Sequence, residues 1–179
     1  MAKVTITEAL ADIKTVNARL DKRREAVMRY FARDARLRDP LEADGGSVEF
    51  VKRERQAIAD LEARIVAIRT AIQNVNLTTK LTVGNKTQTV SEWLNWRREV
   101  STKAKGFLDQ MAATIVNARN QANKNSGRVQ DSESTAKPGD IVIAVSEKQL
   151  SEEIEGMAQL LGELDGKLSL INATCTIEI

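Results

Sequence analysis

The stretch Val51-Lys-Arg-Glu-Arg-Gln-Ala-Ile-Ala-Asp-Leu-Glu-Ala-Arg-Ile-Val-Ala-Ile-Arg-Thr-Ala-Ile-Gln-Asn-Val75 decides the fold of this chain. Its apolar side chains Val51, Ile58, Leu61, Ile65, Ile68, Ile72 and Val75 climb by steps of four and three, broken only at Glu54. That spacing puts every one of them on a single stripe of an α-helix. The same rhythm returns at Leu150, Ile154, Met157, Leu161, Leu164, Leu168 and Ile171. Long helices packed side by side are the solution that buries such stripes, and these two are predicted to form the internal seam.

Working outward, Thr5-Ile-Thr-Glu8 fits a capping box that opens a first helix, with Ile6, Leu10, Ile13, Leu20, Val27 and Phe31 inward and Asn17 and Arg24 on polar rungs. This helix is predicted to run to about Arg36, where Asp39, Pro40, Asp44, Gly45 and Gly46 collect turn-forming residues. Ser47 suits the N-cap of the second helix, which extends to about Asn76 and makes an antiparallel hairpin with the first. A β-hairpin is predicted at about 77–90 around Gly84-Asn85. Thr89-Val-Ser-Glu92 is a second capping box, opening a helix with Trp93, Val100, Phe107, Met111 and Ile115 inward and Gly106 as a weak point. A polar loop at about 123–139, a strand at 141–145, a last helix from a box at Ser146 and a C-terminal strand at about 174–179 complete the chain. The expected fold is mainly α with a small β element: an elongated antiparallel four-helix bundle with a small sheet at one end, in a single domain over 1–179.

With 179 residues and 42% hydrophobic content, one domain with a real core is the default. Charged residues make up 29% and nearly cancel to +2, so any electrostatic function is local. The absence of histidine removes the commonest general base and metal ligand, and Cys175 stands alone. The paired carboxylates Glu152 with Glu153, and Glu163 with Asp165, lack the neighbours that acid–base or metal chemistry needs and read as a solvated face. The loop acids Asp39, Glu42 and Asp44 lack calcium-loop spacing and read as a turn. No enzyme, cofactor, metal or small-molecule substrate is expected. With no signal-peptide core or bilayer-length apolar run, the expected location is cytoplasmic on synthesis.

Lys22, Arg23, Arg24 and Arg29 form a candidate basic patch with Tyr30 and Phe31 nearby, but interleaved Asp21, Glu25 and Asp34 suggest pairing along the helix face. An acidic fourth helix, with Glu147, Glu152, Glu153, Glu155, Glu163 and Asp165, complements the first by charge. Nucleic acid and membrane are therefore not the expected partners. Trp96, beside Arg97 and Arg98, is a candidate anchor for a partner, whereas Trp93 reads as core. Short strands need neighbours, so the terminal strand, with Cys175, Thr176, Ile177 and Ile179, is a candidate interface extending another subunit's sheet.

The order helix, helix, Asn-Val-Asn-Leu-Thr-Thr79, Gly-centred hairpin, Thr-Val-Ser-Glu-Trp-Leu94, helix, strand, and a last helix carrying Leu-Gly-Glu-Leu-Asp-Gly-Lys-Leu168 and Ile-Asn-Ala-Thr174 resembles the small bacterial septicolysin-like family. That resemblance implies a thiol-activated pore-forming toxin, but transfers no residue role to this chain. The architecture also looks like that of accessory virion proteins of tailed bacteriophages. The sequence therefore leads to a non-enzymatic, self-associating structural protein, a decoration, ring or tail-assembly component that partners its own copies and other structural proteins. A pore-forming toxin and a helical nucleic-acid-binding accessory protein are the alternatives.

Overall fold

The computed structural model describes residues 3–125, 127–130 and 136–178. In chain order these form β1 (Lys3–Thr5), α1 (Ile6–Tyr30), a 3-10 turn (Glu42–Asp44), α2 (Gly46–Thr78), β2 (Lys80–Val83), β3 (Lys86–Thr89), α3 (Val90–Trp96), a π turn (Arg97–Ser101), α4 (Thr102–Lys124), β4 (Val129–Gln130), β5 (Ile141–Val142), α5 (Glu147–Thr174) and β6 (Thr176–Glu178). The fold is mainly α with a small β element, as the periodicity predicts. Where the sequence reads as one domain, the chain groups into two compact units, Met1–Thr78 with Ser169–Ile179, and Thr79–Leu168.

In the first unit, α1 and α2 form an antiparallel hairpin, tied by Arg64 to Asp12, Arg23 to Glu54 and the edge-on rings of Tyr30 and Phe50. The predicted capping box is present: Thr5 Oγ1 accepts from Glu8 N at 3.2 Å, and Glu8 returns to Thr5 N at 2.8 Å. The buried stripe of α1 differs from the expected one, being Ile6, Ala9, Ile13, Val16, Leu20 and Val27, while Leu10 and Phe31 are exposed. Ile6, Ile13, Leu20 and Val27 belong to both stripes. The small Ala9 and Val16 supply the alternate rungs because they let α2 approach closely. In this phase Arg23, not Arg24, falls on the seam. The helix ends at Tyr30, six residues before the expected Arg36.

One small sheet at one end was expected; the described strands instead form three separate pairs. The most consequential is β1 with β6, antiparallel, with Val4 opposite Ile177 and Thr5 opposite Thr176. The C-terminal strand thus has its partner within the chain. Residues opposite one another in an antiparallel pair share a face, and here that face caps the hairpin core. Ile177 is buried with Ile6, Ala9, Ile13, Ile68 and Ile72, with Ile171 and Cys175 packed against them.

In the second unit, β2 and β3 pair around Gly84, whose positive φ of 56° supplies the expected turn. A second capping box is formed, Thr89 Oγ1 accepting from Glu92 N at 3.2 Å and Glu92 from Thr89 N at 2.7 Å. Trp93 is buried and donates Nε1–H to Leu81 O at 2.9 Å, locking the β-hairpin to α3. Beyond it, Val100 and Phe107 are exposed, and Ser101 and Leu108 are buried in their place. The π turn at Arg97–Ser101 accommodates one extra residue, which moves the buried positions of the next two turns by one, while Met111 and Ile115 stay inward as expected. The α5 ladder packs Leu150, Ile154 and Met157 against Leu108, Met111, Ala112 and Ile115 of α4. Thus the ladder of α2 meets α1 and is joined by Ile171 from the end of α5, whereas Leu150, Ile154 and Met157 of the α5 ladder meet α4.

The polar loop expected at 123–139 contains β4, which pairs in parallel with β5. The adjacent Asp140 carboxylate accepts from Arg128 N at 2.7 Å and Lys137 N at 2.9 Å. These bonds lower the Asp140 pKa below the ordinary range, the Lys137 amide contributing most. Residues 131–135 of that loop and Ile179 lie outside the described residues.

Candidate functional site

The predicted basic patch is largely occupied by the chain's own acids. Arg23 reaches Glu54 at 2.5 Å, Arg24 reaches Glu62 at 2.8 Å and Arg29 lies 3.4 Å from Glu25. Lys22 is exposed, with no ion pair among the described residues. The acidic fourth helix does not supply the partners of these arginines; α2 and α1 do. On α5, Glu147 binds Arg119, and Asp165 binds Arg97. Glu163 accepts from Lys167 and from the Gly84 amide in the β-hairpin turn, and both contacts lower its pKa, Lys167 the more.

Trp96 is half-buried, its ring edge-on to Trp93 with centroids 5.6 Å apart. Cys175 is half-buried and bridges helix to strand, its N–H donating to Ile171 O at 2.8 Å and its carbonyl accepting from Ile6 N at 3.1 Å. Thr176 is exposed on β6, and Ile177 serves the core of the first unit. Trp96 belongs to the second unit, and Cys175, Thr176 and Ile177 belong to the first.

An open surface lies at the tip of the α1–α2 hairpin. A cleft of about 580 Å³ opens there, lined by Tyr30, Phe31 and Arg33 on one side and Ser47, Val48, Val51, Lys52, Arg55 and Gln56 on the other. Phe31 is 67% exposed and Val48 79%, an uncovered apolar floor. Val48, Lys52 and Arg55 follow steps of four and three, so one face of α2 presents all three. Lys52 comes no nearer than 4.0 Å to Glu49, and Arg55 has no ion pair among the described residues.

Beside this cleft, Asp39 braces two of its lining residues, Ser47 and Arg33. Its carboxylate accepts from Leu41 N at 2.9 Å, Ser47 N at 2.9 Å and Ser47 Oγ at 2.6 Å, and lies 3.6 Å from Arg33 Nε. The Ser47 hydroxyl and amide are the main reason its pKa is lowered from 3.8 to about 2. A permanent negative charge here ties the loop to the first turn of α2 and steadies Arg33, which also donates to Leu37 O at 3.0 Å. The acids Asp39, Glu42 and Asp44 thus build a turn, with Gly45 and Gly46 at positive φ.

This cleft is not legible in the sequence because the apolar spacing places Phe31 on the buried stripe, whereas it is exposed. The available signal was the run Val48, Lys52 and Arg55, which is off the ladder and apolar and cationic on one face.

In the second unit, a further cleft of about 600 Å³ runs between α4 and residues 141–145, lined chiefly by Phe107, Met111, Ile115, Val142 and Val145. Among the described residues no group of three or more Asp, Glu or Cys side chains is placed to hold a metal ion, and no helix is long and apolar enough to cross a membrane. No family model, curated protein or solved structure matches this chain.

Proposed function

We propose that this chain is a non-enzymatic structural protein that acts by associating with copies of itself. The observation that carries this reading is the hairpin tip, where Phe31 and Val48 stand exposed over a cleft edged by Arg33, Lys52 and Arg55. A small folded protein leaves large apolar side chains grouped in the open chiefly where something covers them. The helical hairpin beneath, with its fixed register and Asp39-braced loop, is a rigid mount for such a contact.

The finer form of the proposal is an accessory component of a tailed-bacteriophage virion, in a decoration, ring or tail-assembly role, and it rests on architecture alone. Light scattering on the purified full-length chain tests self-association: a mass that is a multiple of the single chain supports it, and a single-chain mass at every concentration opposes it. Co-sedimentation with purified phage particles tests the virion role.

A further inference from the structure

We infer that the hairpin-tip cleft of one copy receives the acidic first half of α5 from a second copy, in a head-to-tail contact. This rests on the self-association proposed above and names the surface on the other side of it. The tip carries the cations Arg33, Lys52 and Arg55 around an apolar floor; Arg33 has Asp39 at 3.6 Å, Lys52 has Glu49 at 4.0 Å, and Arg55 has no ion pair among the described residues. The chain holds a matching excess of acid on α5. Glu152, Glu153 and Glu155 are all exposed; Glu152 has only Lys148 at 3.8 Å, and Glu153 and Glu155 have no ion pair among the described residues.

The spacing matches as well as the sign. Lys52 and Arg55 are three residues apart on α2, and Glu152 and Glu155 are three apart on α5, each pair separated by about 4.5 Å of helix rise. Two helices laid side by side therefore form both ion pairs at once. Docking partly desolvates those pairs, which strengthens them over the solvated pairs elsewhere on the molecule. A contact between two different surfaces leaves the tip of one copy and the α5 of the next still open, so it propagates into a closed ring or an open filament. The apolar floor would be covered by the glutamate stems and the neighbouring Ala158, which is also exposed.

The test is light scattering on full-length chains with far-UV circular dichroism as a folding control. Lys52→Glu with Arg55→Glu places like charge on both surfaces and is expected to abolish the oligomer; Glu152→Lys with Glu155→Lys is expected to do the same. Mixing these two variants in equal amounts restores complementary charge at every contact, and the oligomer is expected to return with alternating copies. The milder Lys52→Ala with Arg55→Ala serves if charge reversal impairs folding, and is expected to weaken association several-fold. An oligomer of the wild type that survives both reversals overturns this inference and leaves self-association standing. A wild type that never associates overturns both. Retention of a labelled single-stranded oligonucleotide that is lost in the Lys52/Arg55 variant, with self-association untouched, assigns the cleft to nucleic acid and overturns the inference.

Discussion

Arg23 and Glu54 are the two polar breaks in two apolar ladders, and they meet at 2.5 Å across the α1–α2 seam. Glu54 interrupts the α2 stripe between Val51 and Ile58, and Arg23 interrupts the α1 stripe between Leu20 and Val27. Each break costs stability alone, but paired they discriminate against other alignments of the hairpin, because sliding either helix by one rung leaves a charge facing an aliphatic side chain. The glutamate side chain is 13% exposed and the arginine 40%, so the pair is only partly screened.

Replacing Arg23 with Leu leaves Glu54 without a partner and is expected to destabilise the chain by about 1–3 kcal/mol, read from urea unfolding. Replacing both with Leu is expected to recover that loss or exceed it. A single variant as stable as the wild type would show that the pair does not hold the seam.

Acid should loosen the hairpin tip. Asp39 sits at about 2 in the folded chain against an ordinary 3.8, so its contribution is complete above about pH 4 and is lost as pH falls toward 2. Asp39→Asn is expected to lower stability at neutral pH and to flatten the acid-side loss between pH 4 and 2. Thermal unfolding across that range checks both, and equal slopes for the two proteins contradict the assignment.

Two glycines should respond oppositely to alanine. A Cβ at Gly127 would overlap the Gly139 carbonyl, so Gly127→Ala is expected to break the β4–β5 pairing and accelerate amide exchange at Ile141 and Ile143, which donate to Arg128 and Gln130. At Gly106, within α4, a Cβ meets nothing within 4 Å, and Gly106→Ala is expected to stabilise by about 0.5–1 kcal/mol. A destabilised Gly106→Ala would show that this helix position has another requirement.

Removing residues 176–179 should act on folding before it acts on assembly. The truncation deletes Ile177 from the core of the first unit and unpairs β1, and burial of one such side chain is worth about 2–3 kcal/mol. A truncated chain is expected to melt earlier at all concentrations. Unchanged melting with loss of the oligomer would return the terminal strand to the role of an interface.

The long helices, the capping boxes at Thr5 and Thr89, the Gly84 turn and the Trp93 core position are legible in the sequence, because each depends on contacts between residues close in the chain. What was not legible depended on distant partners or on phase. Three residues, Lys3–Thr5, are too few to announce a strand, and only Ile177, from the other end of the chain, makes them one. The stripe of α1 was read one rung off because Leu10 and Phe31 are more apolar than Ala9 and Val16, and close helix approach outweighed apolarity. The π turn at Arg97–Ser101 carries no compositional mark, yet it moves Phe107 outward and Leu108 inward. The hairpin-tip cleft depends on the phase that leaves Phe31 outside the α1 stripe, and with Arg23 and Arg24 paired to α2, the cations of that cleft are Arg33, Lys52 and Arg55.

Light scattering of the full-length wild-type chain over a hundredfold range of concentration tests the central claim most directly. Self-association predicts a mass that is a multiple of the single chain; docking through the hairpin tip predicts in addition that salt and charge reversal at Lys52 and Arg55 diminish it. One single-chain mass throughout, at low salt and high concentration, contradicts it.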